Sequence, residues 1–130
     1  QSVWLGVSAE AQQRADERIP ILLNTPAAKH FVSVEPMLEA VDLKLCDEEL
    51  IDGGYEDRRH HLFVIAGAET GPGARPAQLD WFRSIVEQCQ AASVPLFIKQ
   101  ININGRISHN PSEWPEELRV RQFPTREEND

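Results

Sequence analysis

Cysteine is scarce in this chain of 130 residues: there are two, Cys46 and Cys89. They stand far apart and in no metal-ligating spacing, which excludes a zinc ribbon or a cluster motif built from this chain alone. Cys89 falls on the apolar stripe of a helical pattern, so both read as free thiols of a reducing compartment, and the expected location is cytoplasmic. Positive charge is also short, with 13 Lys and Arg against 21 Asp and Glu and a net charge of −8. Much of the acid lies in residues 39–57 and 113–130. Proteins hold phosphate backbones by neutralising them with Lys and Arg, so nonspecific nucleic-acid binding is disfavoured. No apolar run is long enough to cross a membrane, and no signal-peptide pattern opens the chain. There is no Ser-His-Asp arrangement, Walker loop, internal repeat or low-complexity tract. Asn110-Pro111-Ser112 is not a glycosylation acceptor, because proline fills its middle position. His60 and His61 are adjacent and would point to opposite faces of a strand, which argues against a paired metal site.

What is present is a single domain with enough apolar sequence to bury a core: 41% hydrophobic and 26% charged residues. Four short runs stand out: 3–8, 31–35, 62–69 and 96–100. Each is apolar on both faces and closes on a polar or charged residue. Separated by segments with helical patterns, they predict a parallel α/β sheet of four strands in sequential order with helices on one face. Ligands and chemistry collect at the carboxyl ends of such strands. Ser8, Glu10, Glu35, Glu69, Lys99 and Gln100 would gather there.

Side chains along a strand alternate between faces. One face carries Trp4, Gly6 and Ser8; Phe31, Ser33 and Glu35; Phe63, Ile65, Gly67 and Glu69; Phe97 and Lys99. The other is aliphatic throughout, from Val3, Leu5 and Val7 to Leu96 and Ile98. Helices would cover the aliphatic face. The first face reads as the interior of a partial, TIM-like half-barrel, with an aromatic floor, small residues midway and a polar mouth. A plain two-sided sheet whose terminal polar groups meet solvent is the alternative.

The connections fill in the rest. Ala15 to Asn24 predicts a short helix with Pro20 in its first turn, capped by Asp16 or Glu17 and ended by Thr25-Pro26. Asp42 to Ile51 predicts one or two helical turns, and Asp52-Gly53-Gly54 a turn before a solvated loop ending at His61. Leu79, Phe82, Val86, Cys89 and Ala92 predict a helix from about Ala77 to Ala92. Asn104-Gly105 between Ile101 and Ile107 is a hairpin signal, and Trp114 and Phe123 are anchors for a polar tail. The core thus spans residues 1–100, and 101–130 form a hairpin and tail packing on it within one domain. A core-type strand opening the chain points to a piece of a longer polypeptide.

Glu69-Thr70-Gly71-Pro72-Gly73-Ala74-Arg75-Pro76 joins a strand-end carboxylate, two glycines and an arginine ahead of a helix. Arg75 there could grip a carboxylate or phosphate, or pair with Glu69 and simply close the loop. Glu35-Pro36 follows a similar design. Glu35 and Glu69 on sequential strands, beside Lys99, could hold a cation or a substrate ammonium, transfer protons, or form a structural ion pair.

Several motifs occur in a recognisable order. They are Trp4-Leu5-Gly6-Val7-Ser8-Ala9-Glu10, Ala15-Asp16-Glu17-Arg18-Ile19-Pro20, Thr25-Pro26-Ala27, Ser33-Val34-Glu35-Pro36, Gly71-Pro72-Gly73-Ala74-Arg75-Pro76, Asp80-Trp81 and Phe97-Ile98-Lys99-Gln100. Together, over roughly residues 3–124, they resemble the C-terminal half of the phage Gp thirty-seven/sixty-eight family, a group similar to radical S-adenosylmethionine enzymes of the spore photoproduct lyase type. The resemblance implies an iron–sulfur cluster and S-adenosylmethionine in longer members, whose cluster cysteines precede this region. For this chain alone it implies no resident cofactor. Ser8, Glu10, Glu35, Glu69, Arg75, Lys99 and Gln100 would line the substrate or S-adenosylmethionine side of a partial barrel. The chain departs from the family pattern at Ala68, where a second glycine is usual in the Gly-Gly-Glu turn, at Ile101, and at Glu39-Ala40.

Three roles follow as expectations: a half-barrel without catalysis of its own, a binding module for a small anion, or an assembly domain. In the last, a second copy or a missing N-terminal half covers the face bearing Trp4, Phe31, Phe63 and Phe97.

Overall fold

The computed structural model describes residues 3–46 and 61–124. Four strands, β1 (Trp4–Ser8), β2 (Lys29–Val34), β3 (Leu62–Ala66) and β4 (Leu96–Ile98), form one sheet in the order β1-β2-β3-β4. Every pairing in it is parallel. Two helices connect them, α1 (Gln12–Leu23) and α2 (Leu79–Ala92). A separate antiparallel hairpin, β5 (Ile101–Ile103) and β6 (Arg106–Ser108), follows. The strand order and the parallel sense are those the apolar runs predict.

The aliphatic face is the core. Val32, Val34, Leu62, Val64, Leu96 and Ile98 are buried in one cluster with Ile19 and Leu22 of α1 and Phe82, Ile85 and Cys89 of α2. Two-faced apolar strands demand such cover, because a parallel sheet rarely leaves a face to water.

The aromatic face is not a level floor. The register sets Phe31 opposite Phe63, but Trp4 lies one row lower beside Lys29. Phe97 sits one row higher, level with Ile65, Ser33 and Ser8. Each strand does begin with an aromatic, but the strands begin at different heights, which alternation within one strand does not reveal. Phe31 lies over Gly6, where any Cβ would overlap its ring.

Helix α1 corrects the expected placement of Pro20. The helix starts at Gln12, so Pro20 stands inside it, one turn before its end. The amide that Pro20 lacks would have bonded the carbonyl of Asp16, and both residues are exposed, so water serves that carbonyl instead. The start is capped neither by Asp16 nor by Glu17. Glu39 reaches back from the loop after β2 and accepts the Gln12 amide at 2.8 Å, a carboxylate at the positive end of the helix.

Helix α2 ends at Ser93, held in the left-handed region at φ 56°, with the Val94 amide donating to the Cys89 carbonyl at 2.9 Å. In the hairpin, Asn104 and Gly105 both have positive φ, at 51° and 79°, as a two-residue turn of the primed type requires. Trp114 is buried and donates its indole N–H to Ser108 Oγ at 3.0 Å. Phe123 is 71% exposed, although its ring lies 5.2 Å from that of Phe97.

Beyond the hairpin the chain returns along the outer edge of β4. The Ile98 amide donates to Val120 at 2.9 Å and the Gln122 amide to Leu96 at 2.8 Å. Asp42 to Cys46 is not helical but extended and ends in a turn. The rest of the expected helical stretch, the Asp52-Gly53-Gly54 turn and His60 lie outside the described residues.

Candidate functional site at the strand ends

Because Val34, Ala66 and Ile98 are level in the sheet, the next residues, Glu35, Gly67 and Lys99, form the first row beyond it. Glu35 Oε1 lies 3.1 Å from Lys99 Nζ, with the Glu35 side chain 23% and that of Lys99 49% exposed. Its other oxygen, Oε2, accepts from Gln100 Nε2 at 3.0 Å. Gln100 is 1% exposed and gives the second hydrogen of the same amide to the Ala68 carbonyl at 2.6 Å. Its own main-chain carbonyl accepts from the Ala68 amide at 3.0 Å. Both side-chain partners are pure acceptors, which fixes the orientation of the Gln100 amide.

Gly67 makes this crossing possible. A Cβ there would stand 2.5 Å from Gln100 Nε2 and 3.3 Å from the Glu35 carboxyl carbon. Glycine thus leaves the gap through which the end of β4 reaches the end of β2. The Glu35–Pro36 peptide is cis.

Glu69 and Arg75 form a second, separate group. Arg75 Nε donates to Glu69 Oε1 at 2.8 Å, Nη2 to Oε2 at 3.0 Å, and the Arg75 amide to Oε1 at 2.9 Å. The Arg75 side chain and then its amide hold the Glu69 carboxyl down at about 2, against an ordinary 4.5. Gly71 and Gly73, at φ 92° and 73°, turn the loop so that the clamp can close. Of the alternatives for this segment, the structure shows the closed pair. Glu35 and Glu69 have no cation in common; each is engaged by a different one.

Ser8 and Glu10 belong to a third group, organised by Arg18 of α1. Arg18 Nη1 donates to the Ser8 carbonyl at 2.8 Å and lies 3.5 Å from Glu10 Oε1, which accepts no hydrogen bond. The seven candidate residues therefore resolve into three clusters around one rim. Sequence reasoning missed Gly67, Arg18 and Arg121. Arg18 lies within a motif that was noticed; Arg121 gave no signal at all. It donates to the Ile98 and Lys99 carbonyls at 3.0 and 2.8 Å and lies 4.8 Å over the Phe97 ring and 5.3 Å over that of Trp114. It therefore positions the main chain that carries Lys99.

An iron–sulfur cluster does not fit the residues present. Burial pushes the Cys89 thiol up to about 12, whereas a ligating cysteine must be a thiolate. Cys46 is exposed, and no group of three or more His, Cys, Asp or Glu suited to a metal occurs among the described residues. No described helix is long and apolar enough to cross a membrane.

Sequential parallel strands, helices on one face and polar groups at the strand ends define an α/β protein with its chemistry at the sheet's carboxyl rim. A family model described as protein of unknown function, DUF5131, matches residues 1–120. The chain belongs to that family, the phage Gp thirty-seven/sixty-eight family that the ordered motifs resemble. No curated protein and no solved structure matches it.

Proposed function

We propose that this chain is a ligand-binding half-barrel that holds a small zwitterion at its strand ends and performs no catalysis alone, as the resemblance to the C-terminal half of radical S-adenosylmethionine barrels implies. The supporting observation is the row Glu35–Gly67–Lys99: a carboxylate and an ammonium 3.1 Å apart, both partly open to water. A ligand with an α-ammonium and an α-carboxylate can exchange with that ion pair, its ammonium taking Glu35 and its carboxylate Lys99. Gln100 holds Glu35 in place during the exchange. S-adenosylmethionine carries such an amino-acid group. Cluster chemistry would have to come from elsewhere, and the aromatic face is where a complementary half or a second copy would close. A simple anion site at residues 69–76 has less support, because Glu69 already neutralises Arg75.

Thermal melting with S-adenosylmethionine, methionine or adenosine as probe tests this reading. A ligand that binds only the folded state raises the midpoint. The first two should raise it and adenosine should not, and Glu35→Gln and Lys99→Met should each abolish the rise. Absence of any shift at millimolar probe, or undiminished shifts in both variants, would overturn it.

A further inference from the structure

We infer that the free edge of β1 pairs antiparallel with β1 of a second copy of this chain, with Gly6 opposite Gly6. The two edges of the sheet are treated differently. That of β4 is covered by Val120–Gln122 and held by Arg121. At β1, the bonds from Ala9 to Ser33 and from Ala28 to Val3 turn the odd-numbered peptide groups toward β2. The N–H and C=O of Trp4, Gly6 and Ser8 therefore face outward, and among these only the Ser8 carbonyl has a partner, Arg18. Residues 3–8 contain no charge and no proline, so β1 lacks the devices that normally keep an edge strand from pairing.

Apolar exposure concentrates at the same edge. Val3 is 59%, Trp4 50% and Ile21, on α1 beside β1, 67% exposed; the one other large hydrophobic so exposed among the described residues is Phe123. These three flank the edge on both faces of the sheet and on the helix layer. Elsewhere on the aromatic face Phe63 is buried, Phe31 lies over Gly6, and Phe97 is shared with Arg121 and Phe123. The uncovered surface is thus an edge more than a face.

A second copy fits this edge by its own pattern. With Gly6 opposite Gly6, Trp4 faces Ser8 and Leu5 faces Val7, so the large ring meets a small residue on the open side. The outward groups of all three even-numbered residues fall at hydrogen-bonded pairs. A twofold axis normal to the sheet keeps both helix layers on one side and sets the second α1 against Ile21. Head-to-tail pairing of β1 with β4 is blocked by Val120–Gln122, which leaves the self-complementary arrangement. The two polar rims point to opposite ends, so the pairing stands or falls independently of the zwitterion reading.

Sedimentation and cross-linking test the inference. The wild-type chain should sediment as a dimer at micromolar concentration, and Trp4→Lys as a monomer with an unchanged circular dichroism spectrum. In a Cys46→Ser background, the pair Trp4→Cys and Ser8→Cys should oxidise to a covalent dimer. Hydrogen-bonded antiparallel partners lie about 5.5 Å apart at Cα, within the roughly 4.4–6.8 Å that a disulfide spans. A monomeric wild type would overturn the proposal and assign the edge to a strand of another chain. A dimer that persists in Trp4→Lys, or fails to cross-link, would overturn it equally.

Discussion

The amide nitrogen of buried Gln100 lies 2.5 Å from the point where a side chain on Gly67 would begin. Glu35, Ala68 and Gln100 therefore depend on a missing methyl group for their connection. Gly67→Ala forces Gln100 off the Ala68 carbonyl, off Glu35, or off both. A buried polar group left unsatisfied costs about 1–3 kcal/mol. Chemical denaturation should show a loss of that size, and Gly67→Ala combined with Gln100→Ala should cost less than the sum of the single changes. Strict additivity would mean that the two positions do not touch.

Arg121 makes the end of β4 rigid. Its guanidinium lies over Phe97 and Trp114 while donating to two carbonyls of the same strand end. Lysine keeps the charge but loses the planar fork and its stacking. Arg121→Lys should destabilise the chain by roughly 1–2 kcal/mol, and exchange of the Ile98 amide, bonded to Val120, should accelerate. Unchanged exchange would show that the return strand holds without its arginine.

The parts of this fold legible in the sequence are those set by local periodicity. The strands, their parallel sense, α2 and the hairpin follow from apolar alternation, helical spacing and Asn104-Gly105. The residues at the strand ends were legible for the same reason. Their partners were not, because contact depends on register and on loops. Which row each aromatic occupies is decided between strands, and so is the division of Glu35 and Glu69 between Lys99 and Arg75. Pro20 suggested a helix start because its missing amide is harmless there; exposure makes it equally tolerable further in.

Glu39 illustrates a long-range cap. Its carboxylate accepts the first helical amide of α1 from 27 positions along the chain, while Ala11 at the cap position offers no side-chain acceptor. Glu39→Ala should cost about 1 kcal/mol, with amide exchange rising first at Gln12 and its neighbours. Glu39→Gln, which keeps an acceptor but no charge, should recover part of the loss. Equal stability of both variants and wild type would dispose of the cap.

The clamp between Glu69 and Arg75 gives the chain an acid-sensitive loop. The folded-state carboxyl sits at about 2, below its ordinary 4.5, so the unfolded chain binds the proton more readily. The stabilisation is therefore complete above pH 4.5 and is lost as pH falls through 2. Arg75 is 64% exposed, so salt weakens the pair and the whole effect is modest. A carboxyl-carbon NMR titration of Glu69 should show a midpoint near 2 in the wild type and a return toward the ordinary glutamate range in Arg75→Ala. The midpoints of Glu113 and Glu117 are also held low, by Ser108 with Arg106 and by Arg83 respectively, and Arg75→Ala should leave them unmoved. A Glu69 midpoint near 4.5 in the wild type would mean that the clamp is open in solution. Arg75 would then be free to meet an anion, and residues 69–76 would regain their claim as a binding loop.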